Sequence, residues 1–157
     1  MSKPSFVYVT YIATTPEKAW QAMIDNEMIR QYWCDPTNTC VNRENVSDWR
    51  PGSRWEHRRA DGSGVADIVG TVIESTPPSR LVYSWARPTE VDDDSKHSRV
   101  SIDIEAQGNG IVRLMVTHEG LENDPQMLSG ISGGWPKVLS NLKTFLESGR
   151  TLQSLAA

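Results

Sequence analysis

One stretch near the C-terminus, residues 124–149, constrains the fold of this chain most strongly. Its apolar residues recur at steps of three and four over many turns: Leu128, Ile131, Trp135, Val138, Leu142 and Phe145, with Leu139 and Leu146 widening the stripe. This spacing is typical of an amphipathic helix with one apolar face. Because such a helix is long enough to lie across a sheet, we expect a sheet to pack on it, with Leu142 buried and Lys143 exposed.

The ends of this helix are clearly marked, whereas its interior is unusual. Asp124 can cap the N-terminus with Pro125 at the first helical position, and Gly149 suits a left-handed C-terminal residue. The interior contains three glycines and one proline, namely Gly130, Gly133, Gly134 and Pro136. Each glycine costs roughly 1 kcal/mol relative to Ala, and a proline removes a backbone hydrogen bond. We therefore predict a kink or a restart near Trp135.

The chain before this helix shows two short helical patterns followed by strand patterns. A β-branched and aromatic run predicts a first strand at 6–12. Thr15 and Pro16 predict the start of a helix that ends near Asp25, and a second helix follows at 27–33. Further strands are predicted at 53–60, 65–75, 80–87, 99–105 and 111–119, with an acidic, solvated loop at 88–97. Short turns between consecutive strands favour an antiparallel meander, so we predict one α+β domain, residues 1–157, with a curved sheet.

Residues 34–48 are polar and poorly periodic, and we predict mostly loop there, with a short strand at 39–42. Cys34 and Cys40 lie six positions apart without a His or a further Cys at metal-ligand spacing. Since cytosolic proteins rarely hold disulfides, we expect two free thiols, with a redox-sensitive pair as the alternative.

Charge and hydropathy argue against several classes of protein. The chain has 157 residues and a net charge of −4, and its basic residues are scattered, so the charge pattern of a nucleic-acid-binding protein is missing. No apolar run approaches the roughly 20 residues that cross a bilayer, and the N-terminal sequence MSKPSF lacks the apolar region of a signal peptide. We therefore predict a cytoplasmic protein that does not insert into membranes.

Five motifs, taken in order, link the chain to a known family: TPEKAW, WRPGSRWEHR, GTVIESTPPSRLVYSW, VTHEGL and GGWPKVLSNLKTFLE. Over nearly its whole length the chain resembles the activator-of-Hsp90-ATPase homologue branch of the START and Bet v 1-like superfamily. The resemblance implies a helix-grip fold, in which a bent antiparallel sheet wraps the last helix and leaves a cavity between them. It also implies that the protein binds or acts on hydrophobic small molecules, or assists the Hsp90 chaperone.

Seven side chains are predicted to face that cavity, six by alternation along the strands and Trp135 by the apolar stripe of the helix. These are the candidate ligand-binding residues: Trp55, His57, Arg59, Tyr83, Trp85, His118 and Trp135. The three tryptophans among them can also be read as core filling, and Trp20 and Trp33 are assigned to packing. His57 is either a hydrogen-bonded core histidine or, together with Arg59, a group that orients an anionic or phenolic ligand. His118 is expected either to line the cavity mouth or to bond the backbone of the following loop.

The sequence favours a binding protein over an enzyme. It contains no GxSxG motif, P-loop, dinucleotide fingerprint or HExxH motif. His57 and Glu56 are adjacent in a strand and therefore point to opposite faces. We expect no cofactor and no metal, and we keep three hypotheses for the function. They are binding of a hydrophobic or aromatic small molecule, activation of an Hsp90-type chaperone ATPase, and cyclase, dehydratase or hydrolase activity on polyketide-like substrates. A homodimer is a further option.

Overall fold

The computed structural model of the protein describes residues 5–157, and residues 1–4, on which part of the signal-peptide prediction rests, lie outside them. Within these residues, the elements are β1 (Phe6–Ala13), α1 (Pro16–Ile24), α2 (Asn26–Tyr32), β2 (Arg43–Ser47), β3 (Arg54–Arg59), β4 (Ala66–Thr76), β5 (Arg80–Trp85), β6 (Ser98–Gly108), β7 (Ile111–Glu119), α3 (Pro125–Ser148) and α4 (Leu152–Leu155). Two short 3-10 turns, Pro88–Glu90 and Asp94–Lys96, lie in the acidic loop.

The seven strands form one antiparallel sheet in the order β1-β7-β6-β5-β4-β3-β2. Strands β2 to β6 each pair with the next strand along the chain, which is the predicted meander, and β1 pairs with β7. The sheet curls around α3 as a half-barrel, so the expected helix-grip fold is confirmed.

Helix α3 begins and ends where the sequence predicts. The carboxylate of Asp124 accepts a hydrogen bond from the backbone N–H of Met127 at 3.0 Å, and Gly149 adopts a left-handed φ of 75°. The restart predicted near Trp135 is wrong, because the helix continues without a break across Pro136. A single proline removes only one backbone hydrogen bond. Buried side chains hold the helix on the sheet from there onward: Trp135, Val138, Leu139 and Leu142.

The C-terminal part of α3 packs near the outer edge of β1. Leu142 is fully buried, as predicted. Lys143 is only half-exposed, because its ammonium group donates to the carbonyl oxygen of Tyr11 at 2.7 Å and pairs with Glu147 at 2.6 Å. Glu147 in turn accepts a hydrogen bond from the backbone N–H of Ala13 at 2.9 Å. These contacts occupy backbone groups that an edge strand would otherwise leave free.

Strand β2 is the element that the sequence placed incorrectly, since it lies at Arg43–Ser47 and not at residues 39–42. It pairs with β3 in a register that sets Asn45 opposite His57 and Ser47 opposite Trp55. The interior position of β2 is filled by the amide of Asn45, which is buried through a hydrogen bond. The strand therefore lacks the apolar alternation by which strands are recognised.

Cys34 and Cys40 form a disulfide, so the expectation of two free thiols is wrong. The loop between α2 and β2 brings their Cα atoms to 5.1 Å, which is within the span of a disulfide. Arguments from the cellular compartment cannot show such a geometry. The bridge fixes a loop that forms part of a cavity wall.

Candidate functional site: a cavity beneath the helix

A cavity of about 560 Å³ lies between the N-terminal half of α3 and the β2 end of the sheet. A second cavity of about 440 Å³ adjoins it and extends toward the disulfide loop. Six residues line both cavities: Trp33, Arg43, His57, Gly130, Gly134 and Val138. Volumes of this size accommodate a small organic molecule.

Helix α3 presents backbone to the cavities where other helices would present side chains. Gly130 and Gly134 line both cavities, and Gly133 lines the smaller one. A Cβ atom added at any of these three positions would meet no atom within 4 Å. Packing therefore does not require glycine here, and the effect of the three glycines is to keep the cavity open.

Four aromatic rings are in contact with one another beside the larger cavity. The distances between ring centroids are 5.1 Å for Trp33 and His57, 6.3 Å for His57 and Trp85, 5.8 Å for Trp85 and Trp135, and 5.6 Å for Trp135 and Trp33. All four side chains are buried. The indole N–H of Trp85 is buried and has no hydrogen-bond partner within residues 5–157. The wall is thus aromatic, with a small number of polar atoms.

His57 is the central polar group of this wall, and its protonation follows from its neighbours. Its Nδ1 lies 2.6 Å from Oδ1 of Asn45, and because a carbonyl oxygen only accepts, Nδ1 carries the proton and donates. Burial, with a smaller contribution from the charge of Arg43, lowers the pKa of His57 to about 3. The ring is therefore neutral near pH 7. Its Nε2 keeps a lone pair and forms no hydrogen bond within the described residues.

Charges around the cavities are balanced in pairs. The lining cations are held by carboxylates: Arg43 by Asp67 at 2.7 Å, Lys137 by Asp35 at 3.1 Å, and Arg87 by Asp124 at 2.6 Å. Hydrogen bonds from Thr37 and then Lys137 lower the pKa of Asp35, and the hydrogen bond to Asp124 raises the pKa of Arg87. Each lining cation thus has a carboxylate partner, and Arg43 shares the carboxylate of Asp67 with the more exposed Arg59.

The fold and the cavity agree with a family assignment from sequence. The family model described as "Activator of Hsp90 ATPase homolog 1-like protein" matches residues 13–147. The chain belongs to this family.

Solved structures share the family fold at low sequence identity. The Aha1 dimer from Colwellia psychrerythraea is 18% identical with a TM-score of 0.72, covering 93% of this chain and 98% of that one. An HSP90 activator from Plasmodium falciparum is 21% identical with a TM-score of 0.68, covering 90% and 95%. CalU16 from Micromonospora echinospora is 20% identical with a TM-score of 0.68, covering 92% and 77%. At these identities the likeness shows the fold alone.

No curated protein sequence matches the chain. Among the helices of residues 5–157, none is both long and apolar enough to cross a bilayer.

The seven residues that the sequence predicts to face the cavity fall into three groups. His57, Trp85 and Trp135 line the larger cavity. Trp55, Tyr83 and His118 are buried but do not line either cavity. The indole N–H of Trp55 donates to the carbonyl oxygen of Ser84 at 2.7 Å, and its ring packs on Tyr83 at 4.5 Å.

Arg59 forms the third group, since it lies at the end of β3 and lines neither cavity. It is paired in register with Arg43, and both arginines approach Asp67, at 3.8 Å and 2.7 Å respectively. The side chain of Arg59 is 48% exposed, against 23% for Arg43. The cation that lines the cavities together with His57 is therefore Arg43, and a role for Arg59 in ligand binding stays a prediction.

His118 has a structural role that differs from both predicted alternatives. The indole N–H of Trp135 donates to its Nδ1 at 3.1 Å, so its Nε2 carries the proton and donates to Oγ of Ser98 at 2.8 Å. Oγ of Ser98 donates in turn to the carbonyl oxygen of Trp85 at 3.2 Å. Burial lowers the pKa of His118 to about 4. Both ring nitrogens are used, and together they anchor α3 to β5, β6 and β7.

Sequence reasoning missed several residues of the site. Trp33 was assigned to packing, although it lines both cavities. Arg43 and Asn45 were placed in a loop, and no pattern in the sequence marks them. The interior glycines of α3 were the one available sequence signal of the cavity. Because glycine destabilises a helix, three of them in one helix indicate a requirement other than helix stability.

The site offers little for metal binding or acid-base chemistry. Within residues 5–157, no group of three or more His, Cys, Asp or Glu side chains could hold a metal ion. His57 is a weak base, and His118 has no free nitrogen. The arrangement can instead enclose an apolar molecule and accept one hydrogen bond from it.

Proposed function

We propose that this protein binds a hydrophobic or aromatic small molecule in the cavity between α3 and the sheet. The observation that carries the proposal is the cavity wall itself. Trp33, Trp85 and Trp135 provide apolar surface, the glycines of α3 leave room, and His57 supplies a polar atom without a protein partner. Ligand sites combine apolar lining with a few placed polar groups in this way.

Binding is favoured over catalysis because the histidine of the cavity wall is poorly suited to proton transfer near pH 7. General acid-base catalysis works best with groups whose pKa lies near the working pH. Burial moves the pKa of His57 to about 3, which leaves a poor proton acceptor at pH 7. A cyclase, dehydratase or hydrolase activity therefore finds no support from this histidine.

Ligand binding can be tested by thermal denaturation with pyrene as an apolar probe. A ligand at a hundredfold excess over its Kd stabilises the folded state by about 2.7 kcal/mol. For a domain of this size the midpoint of unfolding should rise by a few degrees. Energy transfer from tryptophan to pyrene gives a second readout, since three tryptophans line the site.

A pair of variants on α3 separates binding in the cavity from adsorption elsewhere. Gly130→Leu places an apolar side chain in the open space of the cavity, whereas Ser129→Leu adds the same side chain at an exposed neighbour that lines neither cavity. We expect Gly130→Leu to abolish the shift and Ser129→Leu to retain it. Equal shifts in both variants would place the probe outside the cavity and contradict the proposal.

Activation of an Hsp90-type ATPase is the second candidate, and the family description supports it. A structural relative is itself described as an HSP90 activator. The test is a pull-down with an Hsp90 middle domain, followed by measurement of ATP hydrolysis by full-length Hsp90. Stimulated hydrolysis that survives in Gly130→Leu, together with no binding of aromatic probes, would replace the first candidate by the second.

A homodimer and a cytoplasmic location accompany these candidates as predictions. One relative of similar fold is described as a dimer. Light scattering coupled to size-exclusion chromatography would give the mass of the assembly. Fractionation of the source cells would give the location, which has to be reconciled with the disulfide.

A further inference from the structure

We propose that the cavity selects an uncharged aromatic molecule with a hydroxyl group, and that this hydroxyl donates a hydrogen bond to Nε2 of His57. The inference rests on the proposed function, because it names the class of ligand for the same cavity. Three independent features support it: the fixed tautomer of His57, the paired charges around the cavity, and the shape of the space beside α3.

The tautomer of His57 decides which hydrogen bond the ligand makes. Asn45 is buried, and its Oδ1 lies 2.6 Å from Nδ1 of His57, which fixes the proton on Nδ1. Asn45 is held in turn by helix α2, since its backbone N–H donates to Oδ1 of Asn26 at 2.8 Å. Nε2 can then only accept a hydrogen bond. A hydroxyl donor on the ligand satisfies it, whereas an ether or a ketone does not.

The charges around the cavity argue against a carboxylate ligand. An anion in an apolar site needs a cation that is free to pair with it. Lys137 is already held by Asp35 and Arg87 by Asp124, both within 3.1 Å. Arg43 is held by Asp67 at 2.7 Å, and Arg59 approaches the same carboxylate at 3.8 Å. The Nε2 lone pair of His57 would also repel a carboxylate oxygen. A neutral ligand avoids both problems.

The shape of the cavity suits a flat, rigid ring system. One side is the backbone of α3 at Gly130 and Gly134, where an added Cβ meets nothing within 4 Å. The other sides carry the indole rings of Trp33, Trp85 and Trp135. Aromatic rings pack favourably against such rings and against a helix face without side chains.

Four probes, pyrene and three of its derivatives, test the inference on the wild-type protein. The derivatives are 1-methoxypyrene, 1-hydroxypyrene and 1-pyrenecarboxylate. They share one ring system and differ in the group that faces His57. We expect 1-hydroxypyrene to bind about 10-fold to about 100-fold more tightly than 1-methoxypyrene, because only the hydroxyl donates. We expect 1-pyrenecarboxylate to bind more weakly than 1-hydroxypyrene. Dissociation constants come from tryptophan quenching and from calorimetry.

The outcomes distinguish this inference from the proposed function. Equal affinities for pyrene, 1-methoxypyrene and 1-hydroxypyrene would overturn the inference and leave binding in the cavity intact. Tightest binding of 1-pyrenecarboxylate would overturn it as well, since a free cation would then face the ligand. Binding of none of the four probes would overturn both proposals.

Two variants test the role of His57 directly. In His57→Phe, which removes the acceptor, the preference for 1-hydroxypyrene over 1-methoxypyrene should disappear. In Asn45→Leu, which keeps His57 but removes its partner, the preference should fall, and nitrogen-15 NMR of the ring should show a mixture of tautomers. A hydroxyl preference that persists in His57→Phe, or an unchanged tautomer in Asn45→Leu, would overturn the inference.

Discussion

The two halves of α3 face the same sheet but contact it in different ways. Residues 125–135 contain three glycines and lie over a cavity, whereas residues 139–148 contain no glycine and lie over a packed interior. In the second half Leu139 and Leu142 are buried completely or nearly so. Asn141 is also buried, and its amide bonds the carbonyl oxygen of Tyr32 at 2.8 Å and the backbone N–H of Leu152 at 2.7 Å.

The difference shows how one helix can serve both stability and binding. The second half carries contacts that hold the helix in place, including the Lys143 and Glu147 contacts with β1. The hydrogen bond from Trp135 to His118 adds an anchor at the end of the first half. The first half can then tolerate residues of low helix propensity, and the space that they leave is available to a ligand. This division predicts that similar substitutions in the two halves change the free energy of unfolding by different amounts or in opposite directions.

The largest effect is expected from Leu142→Ala in the packed half. Removing this fully buried side chain should lower the free energy of unfolding by about 2 to 5 kcal/mol, because a cavity is left in a tight interior. Ile131→Ala, at the cavity wall, is the matched substitution and should cost less, because open space already adjoins it. Urea titration measures both. Equal losses would show that the two halves are equally well packed.

The second prediction concerns pH, because both buried histidines are associated with the first half of α3. His57 lines the cavity beneath it, and His118 accepts a hydrogen bond from Trp135. The pKa of His57 is about 3 and that of His118 is about 4 in the folded state, against about 6.5 when unfolded. Below pH 6.5 the unfolded chain binds more protons than the folded one. The stability that these neutral rings allow is therefore complete above pH 6.5 and is lost as the pH falls toward 4. Each ring contributes a slope of about 1.4 kcal/mol per pH unit within this window.

Urea titrations at pH 7, 6 and 5 measure this slope. His57→Phe provides the control, because it removes one of the two titrating rings. The slope of the free energy of unfolding against pH should fall by the contribution of that ring, about 1.4 kcal/mol per pH unit. The measurement goes no lower than pH 5, where the carboxylates with lowered pKa, such as Glu56 and Glu147, remain ionised in the folded protein. A slope unchanged by the substitution would show that His57 is accessible to protons in the folded state.

The third prediction concerns the disulfide that closes the loop beside the cavity. In the chain-entropy description, opening a loop as short as that between Cys34 and Cys40 should lower the free energy of unfolding by about 2 kcal/mol. Urea titration with and without dithiothreitol measures the change. A Cys34→Ser/Cys40→Ser protein should not respond to the reductant. A wild-type protein that is equally indifferent would show that the bridge does not constrain the unfolded chain.

The fold was largely predictable because most of its elements carry local signals. Helix α3 has its apolar stripe and its capping residues Asp124 and Gly149. Strands β3 to β7 have alternation or turn residues at their ends. Strand β2 has neither, since its buried residue, Asn45, is satisfied only by His57 on another strand. A nonlocal hydrogen bond of this kind leaves no mark on the sequence around it.

The site was predictable only in part, for the same physical reason. Alternation indicated that His57 and Trp85 face inward, the apolar stripe of α3 indicated the same for Trp135, and all three line the cavity. The choice between Arg59 and Arg43 as the neighbouring cation depended on the register of β2 against β3, which the sequence does not show. The disulfide depended on the path of a loop. Patterns report which way a residue faces, and the partner that it meets is set by tertiary structure.

The smallest effect is expected from Gly134→Ala in the cavity half. Unlike Leu142→Ala in the packed half, this substitution should stabilise the protein. Gly134→Ala adds a Cβ to a helical position where no atom lies within 4 Å, so helix propensity should raise the free energy of unfolding by about 0.5 to 1 kcal/mol. The same methyl group reaches into the cavity, so 1-hydroxypyrene should bind more weakly. Ser129→Ala, exposed on the same helix and outside both cavities, is the control and should leave probe binding unchanged. Loss of stability in Gly134→Ala would mean that the helix backbone there is packed against another group, and the cavity could not then be the reason for the glycine.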